Sequence, residues 1–582
     1  MCGLFGIVDW KGDIKGFCTK THFEAIECRG PDGRGMILEP WFIAGHSRLS
    51  IQDLSWRGHQ PFQDASGRFV IVYNGEIYNF HNINDVLRSA GHVFRTASDT
   101  ETLIEHFCRK GMDAFHDLQG MFSGAIFDRS ERSVYLFRDR LGVKPLYYAL
   151  FNSRLFLGST PAVVADLIGQ HQIDNSQHYN YLAFRSTSVD GSFFSGVKML
   201  RPGVVLKFSE YTAEEHVFWD VRNYIGCHNH EINSEQAIEQ LRYLISRSVE
   251  GRLVADVPVG AFLSGGLDST IVVHHMAELS REPVYAHTFS SSFNGDDETD
   301  RARMTAKHYG AHCDVLRINY EEYLEDLVYL TNRKGAPLLV PNEYAIYKMA
   351  RKMRSINTVV LSGEGADEVF WGYSNIFTAA SEIGDLPGMY QKAQWIFDKY
   401  RYVSPSTLKI AGFNDSMVAD YVEYGVQYIY SLLKEFPNRS LSESLQYFFL
   451  RHHLPGLLMR LDNATMAASI EGRAPFTDHS LVEFGLSLPP ELKLGVGAGG
   501  TSGKQILYQA YQDIPDWVIR TPKIGFKIGD TLNGRSEFHP ILQEAYSSNV
   551  SWFDSDQIPA MEKWHLTMLG IFTHSFQAGS MI

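Results

Sequence analysis

Ser264-Gly265-Gly266-Leu267-Asp268-Ser269 follows an apolar run, Val257 to Leu263, and precedes a helical pattern, Thr270 to Leu279. A strand, a glycine-rich turn and a helix, in that order, can make a phosphate loop. Two adjacent glycines let the backbone approach an anion with no Cβ in the way. The loop N–H groups and the helix N-terminus then point at the phosphates. Asp268 stands where a carboxylate could hold Mg2+ on them. The G-x-x-x-x-G-K-[ST] spacing and its lysine are absent, so this is not a Walker A loop. The plain alternative is a Ser/Gly turn before an ordinary helix. The full string in this context favours nucleotide binding.

A nucleophile opens the chain, in Met1-Cys2-Gly3-Leu4-Phe5-Gly6-Ile7. Removal of Met1 would leave Cys2 with its own α-amine, whose pKa of about 8 suits it to take the thiol proton. A thiol is already slightly ionised at neutral pH, so a modest base is enough. Downstream stand Arg29-Gly30-Pro31-Asp32-Gly33, His46-Ser47-Arg48-Leu49-Ser50-Ile51, Tyr73-Asn74-Gly75-Glu76-Ile77, Ser98-Asp99-Thr100-Glu101 and Phe137-Arg138-Asp139-Arg140-Leu141-Gly142-Val143-Lys144-Pro145. Asn74-Gly75 alone reads as a type I′ hairpin turn. A third pattern, Ser362-Gly363-Glu364-Gly365-Ala366-Asp367-Glu368, follows the apolar Thr358 to Leu361; alone it reads as a solvated acidic loop.

In this order the motifs after Cys2 resemble the class II glutamine amidotransferase domain, an N-terminal-nucleophile hydrolase. The Ser264 loop resembles that of the ATP pyrophosphatases, which cleave ATP to AMP and pyrophosphate. Both in one chain resemble the glutamine-hydrolysing asparagine synthetase family, from Cys2 to about Phe526. The resemblance implies that Cys2 attacks a carboxamide, with the Asn74 side chain and the Gly75 N–H as oxyanion donors. It places Arg48, Leu49, Ser50, Ile51, Gln52, Glu76 and Asp99 around free glutamine. Arg48 would clamp the carboxylate bidentately, and Glu76 and Asp99 would hold the ammonium. It places ATP, used as a substrate, on Leu263, Ser264, Gly265, Gly266, Asp268, Ser269, Ser291, Ser362 and Gly363, with Mg2+ on Asp268 and Asp367. Glu364 and Lys523, the latter in Arg520-Thr521-Pro522-Lys523-Ile524-Gly525-Phe526, would serve the adenylated carboxylate and the incoming ammonia. Aspartate is the favoured acceptor. The alternatives are the same chemistry on a sugar acid, peptide or natural-product carboxylate, and a non-catalytic glutamine sensor or scaffold. Intact Asp268, Asp367 and Glu364 weigh against the last. Trp371 stands where relatives usually have Gly, and an indole there would reshape the acceptor pocket. Asp462, Met466, Ser469, Glu471 and Arg473 are expected to be scaffold.

The elements that must position these residues fall into two kinds. Residues 1–205 read as short alternating strands with turn clusters, interrupted by helical patterns near His81 to Ala90 and Asp99 to Lys110. This predicts an α+β layered sandwich. Residues 206–232, with the polar Gly226-Cys227-His228-Asn229-His230-Glu231, are expected to be a linker. From 233 to 582 a helix, Ser234 to Arg252, precedes alternating strands and helices. That pattern predicts a parallel α/β sheet, whose ligands bind beyond the strand carboxyl ends. Ser264 and Ser362 both lie at such ends. A mostly helical C-terminal part follows, with a flexible loop expected at Gly495 to Gly503.

The chain has 582 residues, 44% hydrophobic and 21% charged, with a net charge of −14. That is too long for one core and too acidic, with no basic block, to suggest nucleic acid. The six cysteines include no C-x-x-C pair and, with 23 histidines, no zinc spacing. No signal peptide or membrane span is indicated. The expectation is a cytoplasmic enzyme with reduced thiols, small-molecule partners and a homodimeric state as an option.

Overall fold

The computed structural model describes residues 2–12, 14, 20–229, 231–291, 298–497, 500–519, 529–532, 534–546 and 550–577. The first half is built on two stacked six-stranded sheets. Its strands are β1 (Cys2–Asp9), β2 (Gly33–Leu38), β3 (Phe42–Arg48), β4 (Phe62–Gln63), β5 (Phe69–Ile77), β6 (Gly120–Asp128), β7 (Ser133–Arg138), β8 (Tyr147–Phe151), β9 (Arg154–Gly158), β10 (Lys198–Met199), β11 (Val204–Phe208) and β12 (Ala213–Val217). The sheet orders are β10-β8-β9-β1-β3-β2 and β12-β11-β7-β6-β5-β4. All pairings within them are antiparallel.

Alternation along each strand makes the layers. Leu4, Val8, Phe42, Val70, Val72, Phe127 and Leu136 interdigitate between the sheets, while Phe5, Ile7, Ile71 and Tyr73 face the outer helices. With both faces covered, every residue of β1 is buried. The helix Asp99–Lys110 matches the expected span and is capped by Ser98, whose side chain accepts from Thr100 N–H.

The expected linker begins too early. β11 pairs with β7, and β12 with β11, so residues up to Val217 belong to the second sheet. The sequence obscured this because β12 reads Ala-Glu-Glu-His-Val and is largely exposed, with no apolar alternation to signal a strand.

The second half starts with the helix Ser234–Arg252, whose Asn233 and Gln236 form a reciprocal capping box. Its sheet is all parallel. The strands are β13 (Val259–Phe262), β14 (Tyr285–Ser291), β15 (His312–Ile318), β16 (Val359–Leu361) and β17 (Glu471–Arg473), in the order β15-β14-β13-β16-β17. Adjacent pairing of β13 and β16, with Ala261 opposite Leu361, puts the Ser264 and Ser362 loops side by side at the carboxyl edge. Gly495–Gly497 and Gly500–Ser502 pair as β18 and β19, a short hairpin where a flexible loop was expected. No helix among the described residues is long and apolar enough to cross a membrane.

The halves meet along the helix Leu454–Met466 and the strand β17 that follows it. Asp462 accepts from Arg29 Nη2 at 2.7 Å and faces Lys144 Nζ at 3.4 Å. All three side chains are at most 4% exposed. Lys144 Nζ also meets the Gly472 carbonyl at 3.3 Å, and Ser469 Oγ donates to the Cys28 carbonyl at 2.6 Å. Removing one member of a buried ion pair strands the other's charge, at about 3–5 kcal/mol. Asp462→Ala is therefore expected to lower stability by about that amount in urea unfolding followed by tryptophan fluorescence. A loss under about 1 kcal/mol would mean that the cluster behaves as a solvated surface pair.

Candidate functional site

Cys2 begins β1 opposite Arg48, the last residue of β3. Its N–H donates to Asn74 Oδ1 at 2.9 Å, and its carbonyl accepts from Arg29 Nε at 3.3 Å. Asn74 Nδ2 is buried with no protein hydrogen bond. A buried donor left without a partner is costly, so this amide is suited to a ligand oxygen. A Cβ at Gly75 would collide with the Met121 carbonyl, which explains glycine there. Burial raises the Cys2 thiol pKa, while the chain's amino terminus, the Leu49 N–H and Arg48 pull it down. The thiol is thus held neutral until a base takes its proton.

Arg48 departs from the expected clamp. Its Nη1 donates to the Ser55 carbonyl at 2.8 Å, and its Nη2 to the carbonyls of Gln52 and Asp53 at 3.0 and 2.5 Å. Three of its five N–H donors are engaged in holding the loop after β3. The loop itself is tied down: Ser50 N–H donates to Asp32 Oδ2, and Asp256 N–H to the Ile51 carbonyl, both at 2.8 Å. Leu49, Ile51 and Gln52 are buried.

Glu76 and Asp99 are brought together in the same buried site. Gln52 Nε2 donates to Glu76 Oε2. Asp99 Oδ2 accepts from the Tyr73 hydroxyl and the Ile77 N–H, both at 2.9 Å. Burial, with Glu471 and Asp99 adding to it, lifts Glu76 well above the usual carboxylate range. Burial lifts Asp99 to about 6, against its hydrogen bonds from Ile77 and Tyr73. Two desolvated acids side by side call for a cation, and an incoming ammonium would supply one. Arg473 reaches across from β17 to 3.8 Å from Glu76 Oε1 and donates to Glu471 at 2.5 Å. Burial alone would raise Glu471, but Arg473 and the amino terminus hold it down at about 2.

The second site is an open cleft lined by Ser264, Asp268, Gly363, Glu364, Asp367 and Lys504, among others. Gly265 has φ +75°, and a Cβ there would sit 2.9 Å from Ala302 N, so the turn requires glycine. Gly266 caps the helix Leu267–Leu279. Ser269 Oγ lies 3.2 Å from Ser264 N and 3.1 Å from Ser264 Oγ, locking the loop on the helix. A Cβ at Gly363 would sit 2.8 Å from Asp268 Cβ, so the two loops touch. Leu263 is buried and donates its N–H to the His287 carbonyl. Ser291 ends β14. Ser362 N–H donates to the Arg473 carbonyl at 2.8 Å. Glu364 pairs with Arg460, whose Nη1 also donates to Asn342 Oδ1 at 3.2 Å.

The residue missed in the sequence is Lys504. Its Nζ lies 2.6 Å from Asp268 Oδ2 and 2.7 Å from Asp367 Oδ1. Burial would lower it, but the two carboxylates hold it above the usual lysine range and charged. An ammonium bridging the two acids stands in for a cation shared by them, so the pair fits a divalent metal on phosphate. The only signal was a lysine just after a glycine-rich tract. Lys523 lies outside the described residues. Trp371 does not shape the cleft. It has φ +59°, is 2% exposed and stacks on Phe377 with ring centroids 4.6 Å apart; the positive φ explains why glycine suits this position. Among the described residues, three side-chain groups with metal-ligating spacing, around His116, His274 and Glu101, share no residue with the cleft lining.

Comparison with known proteins now bears on both sites. Residues 1–219 match the family described as glutamine amidotransferase domain, and residues 240–573 match that described as asparagine synthase. The chain belongs to the asparagine synthase family. It is 29% identical to glutamine-hydrolysing asparagine synthetase 3 of Bacillus subtilis (strain 168) over 95% of each chain. Against synthetase 1 of the same organism it is 28% identical, over 91% of this chain and 87% of the relative. It is 27% identical to amidase chry2 of Gibberella zeae, over 87% of this chain and 85% of the relative. The protein is thus an ATP-using, glutamine-dependent amidotransferase of the asparagine-synthetase type, a carbon–nitrogen ligase.

The Asp99 carboxylate gives the first site an expected pH dependence. Below about 6 it is protonated and loses the charge an ammonium needs. Glutaminase kcat/KM is therefore expected to fall as pH drops through about 6, by up to about tenfold per unit, and Asp99→Asn should remove this acid limb while lowering the plateau. A wild-type profile flat from pH 7 to 5 would exclude the role.

Proposed function

We propose that this chain hydrolyses glutamine at Cys2, activates an acceptor carboxylate with ATP in the Ser264–Ser362 cleft, and joins the two through ammonia. The Cys2 sulfur bonds to the glutamine amide carbon and the carbon–nitrogen bond breaks. The freed α-amine takes the thiol proton and passes it to the departing nitrogen, which leaves as ammonia. Water then cleaves the thioester to glutamate. Asn74 Nδ2 is the oxyanion donor, assisted by the Gly75 N–H; Glu76 and Asp99 hold the substrate ammonium, with Arg48, Leu49, Ser50, Ile51 and Gln52 forming the wall. In the cleft an acceptor oxygen bonds to the α-phosphorus and pyrophosphate leaves. Ammonia then attacks the acyl carbon, AMP leaves with the carbon–oxygen electron pair, and one proton is lost to give the amide.

Asp268 and Asp367 would hold Mg2+, which offsets the charge of the phosphates. Lys504, released from the two aspartates, turns its charge to the departing pyrophosphate. Ser264, Gly265, Gly266, Ser269, Ser362 and Gly363 supply backbone and hydroxyl donors, and Arg460 holds Glu364 at the acyl carbon. Aspartate is the proposed acceptor. The likeness to a fungal amidase keeps another carboxylate as the second reading.

The observation that carries this reading is one helix serving both centres. Arg460 and Asp462 lie two residues apart on it, on roughly opposite faces at about 100° per residue. The first pairs with Glu364 in the cleft, the second with Arg29, which grips the Cys2 carbonyl. Such a joint suits transfer of a small neutral molecule between two fixed sites. Cys2→Ala is expected to abolish glutamine-dependent amide formation and to leave ammonia-dependent formation intact. Parallel assays of AMP and pyrophosphate check this, and loss of both activities, or ADP as product, would refute it. Lys504→Ala should lower the rate of pyrophosphate release about 100- to 1000-fold without changing the glutaminase rate.

A further inference from the structure

The wall of the synthetase cleft includes a cation supplied by the other half of the chain. Arg185 follows the helix Ser176–Phe184 at φ +68°, a left-handed conformation that favours glycine. Its side chain lines the same cleft as Ser264 and Glu364 and is only 8% exposed. The guanidinium carbon lies 3.9 Å from the centroid of the Tyr402 ring. Nη2 faces His453 Nδ1 at 3.3 Å, and Nε has no protein hydrogen bond.

Arg185 has no direct counter-charge among the described residues. A guanidinium stays charged at any working pH, and burying one unpaired is expensive. His453 does not compensate it: burial, then Arg185 itself, push that imidazole well below its usual range and leave it neutral. With Nδ1 accepting, Nε2 carries the proton and donates to the Tyr373 hydroxyl at 2.9 Å, which donates to Glu368 Oε1 at 2.6 Å. Glu368 is therefore three hydrogen bonds from Arg185, by way of His453 and Tyr373. A solvent-open cleft bordered by Tyr373, Tyr400, Tyr402 and Phe449 adjoins this point, so a bulky ligand has room.

We propose that Arg185 anchors a second carboxylate of the acceptor, so that the acid amidated here is a dicarboxylate with one end at Glu364 and the other on Arg185. This rests on the cleft being the adenylation site. The aromatic rings around Arg185 would pack on the carbon skeleton between the two acid groups. The acceptor class is thus set by a group that relieves the buried charge.

The test is pyrophosphate release by the full-length enzyme with ATP, ammonia and a panel of α,ω-dicarboxylic acids of increasing length, aspartate included, each against its monoester. In wild type a diacid should show a KM about 10- to 100-fold below that of its monoester. In Arg185→Gly, which suits the backbone, the ratio should fall to about 1; in Arg185→Lys, which keeps a point charge, it should be intermediate. The glutaminase rate of each variant reports that the fold is intact. Equal KM values in wild type, or a preference that survives in Arg185→Gly, would overturn the anchor alone. No pyrophosphate with any acid would overturn the ligase reading, and the anchor with it.

Discussion

One buried carboxylate holds the two halves of this chain in register. Asp462 sits between Arg29 and Lys144, both from the first half, and all three are shut away from water. Charges desolvated this way are costly unless each finds its partner, so the contact tolerates little sliding. What it fixes is functional distance. Arg29 also holds the Cys2 carbonyl, and the helix bearing Asp462 bears Arg460 against Glu364. A thiol at the start of an interior antiparallel strand and an acid just past the end of a parallel one are thereby positioned by two residues of one turn.

The two sites share a way of keeping themselves ready. In the first, Glu76 and Asp99 share a desolvated pocket with Arg473 only at 3.8 Å. In the second, Lys504 occupies the gap between Asp268 and Asp367. Each centre keeps its charges approximately balanced by a group of its own, and the proposed substrates exchange for that group rather than paying for a vacant field. Arg185 is the exception, since no anion within the described residues balances it.

Legibility followed the range of the interactions involved. The helices at Asp99–Lys110 and Ser234–Arg252 stand where the residue pattern placed them, because amphipathic spacing is a local signal. The Ser264 and Ser362 loops were legible because each follows an apolar strand. β17 was not: three residues cannot display a period, and Glu-Gly-Arg in a fully buried parallel strand contradicts β propensity, being held by the Glu471–Arg473 pair and its reach to Glu76. Lys504 and Asp268 are 236 positions apart, and no spacing rule relates them. Arg48 was assigned to a ligand from its motif, whereas its guanidinium donates to three carbonyls of its own loop. Arg185 carried no signal, since its meaning depends on what is missing around it.

β17 is the last strand of its sheet, and its outer side is covered from the first half, with Lys144 on the Gly472 carbonyl. An uncovered edge would present unpaired backbone groups to any passing strand. Severing the polypeptide near residue 230 would therefore leave the larger fragment with an adhesive rim and several stranded ions, and the smaller one with Arg29 and Lys144 facing water. The two catalytic modules are consequently poor candidates for exchange between unrelated fusions: what looks like a pair of interchangeable parts shares a wall that neither owns.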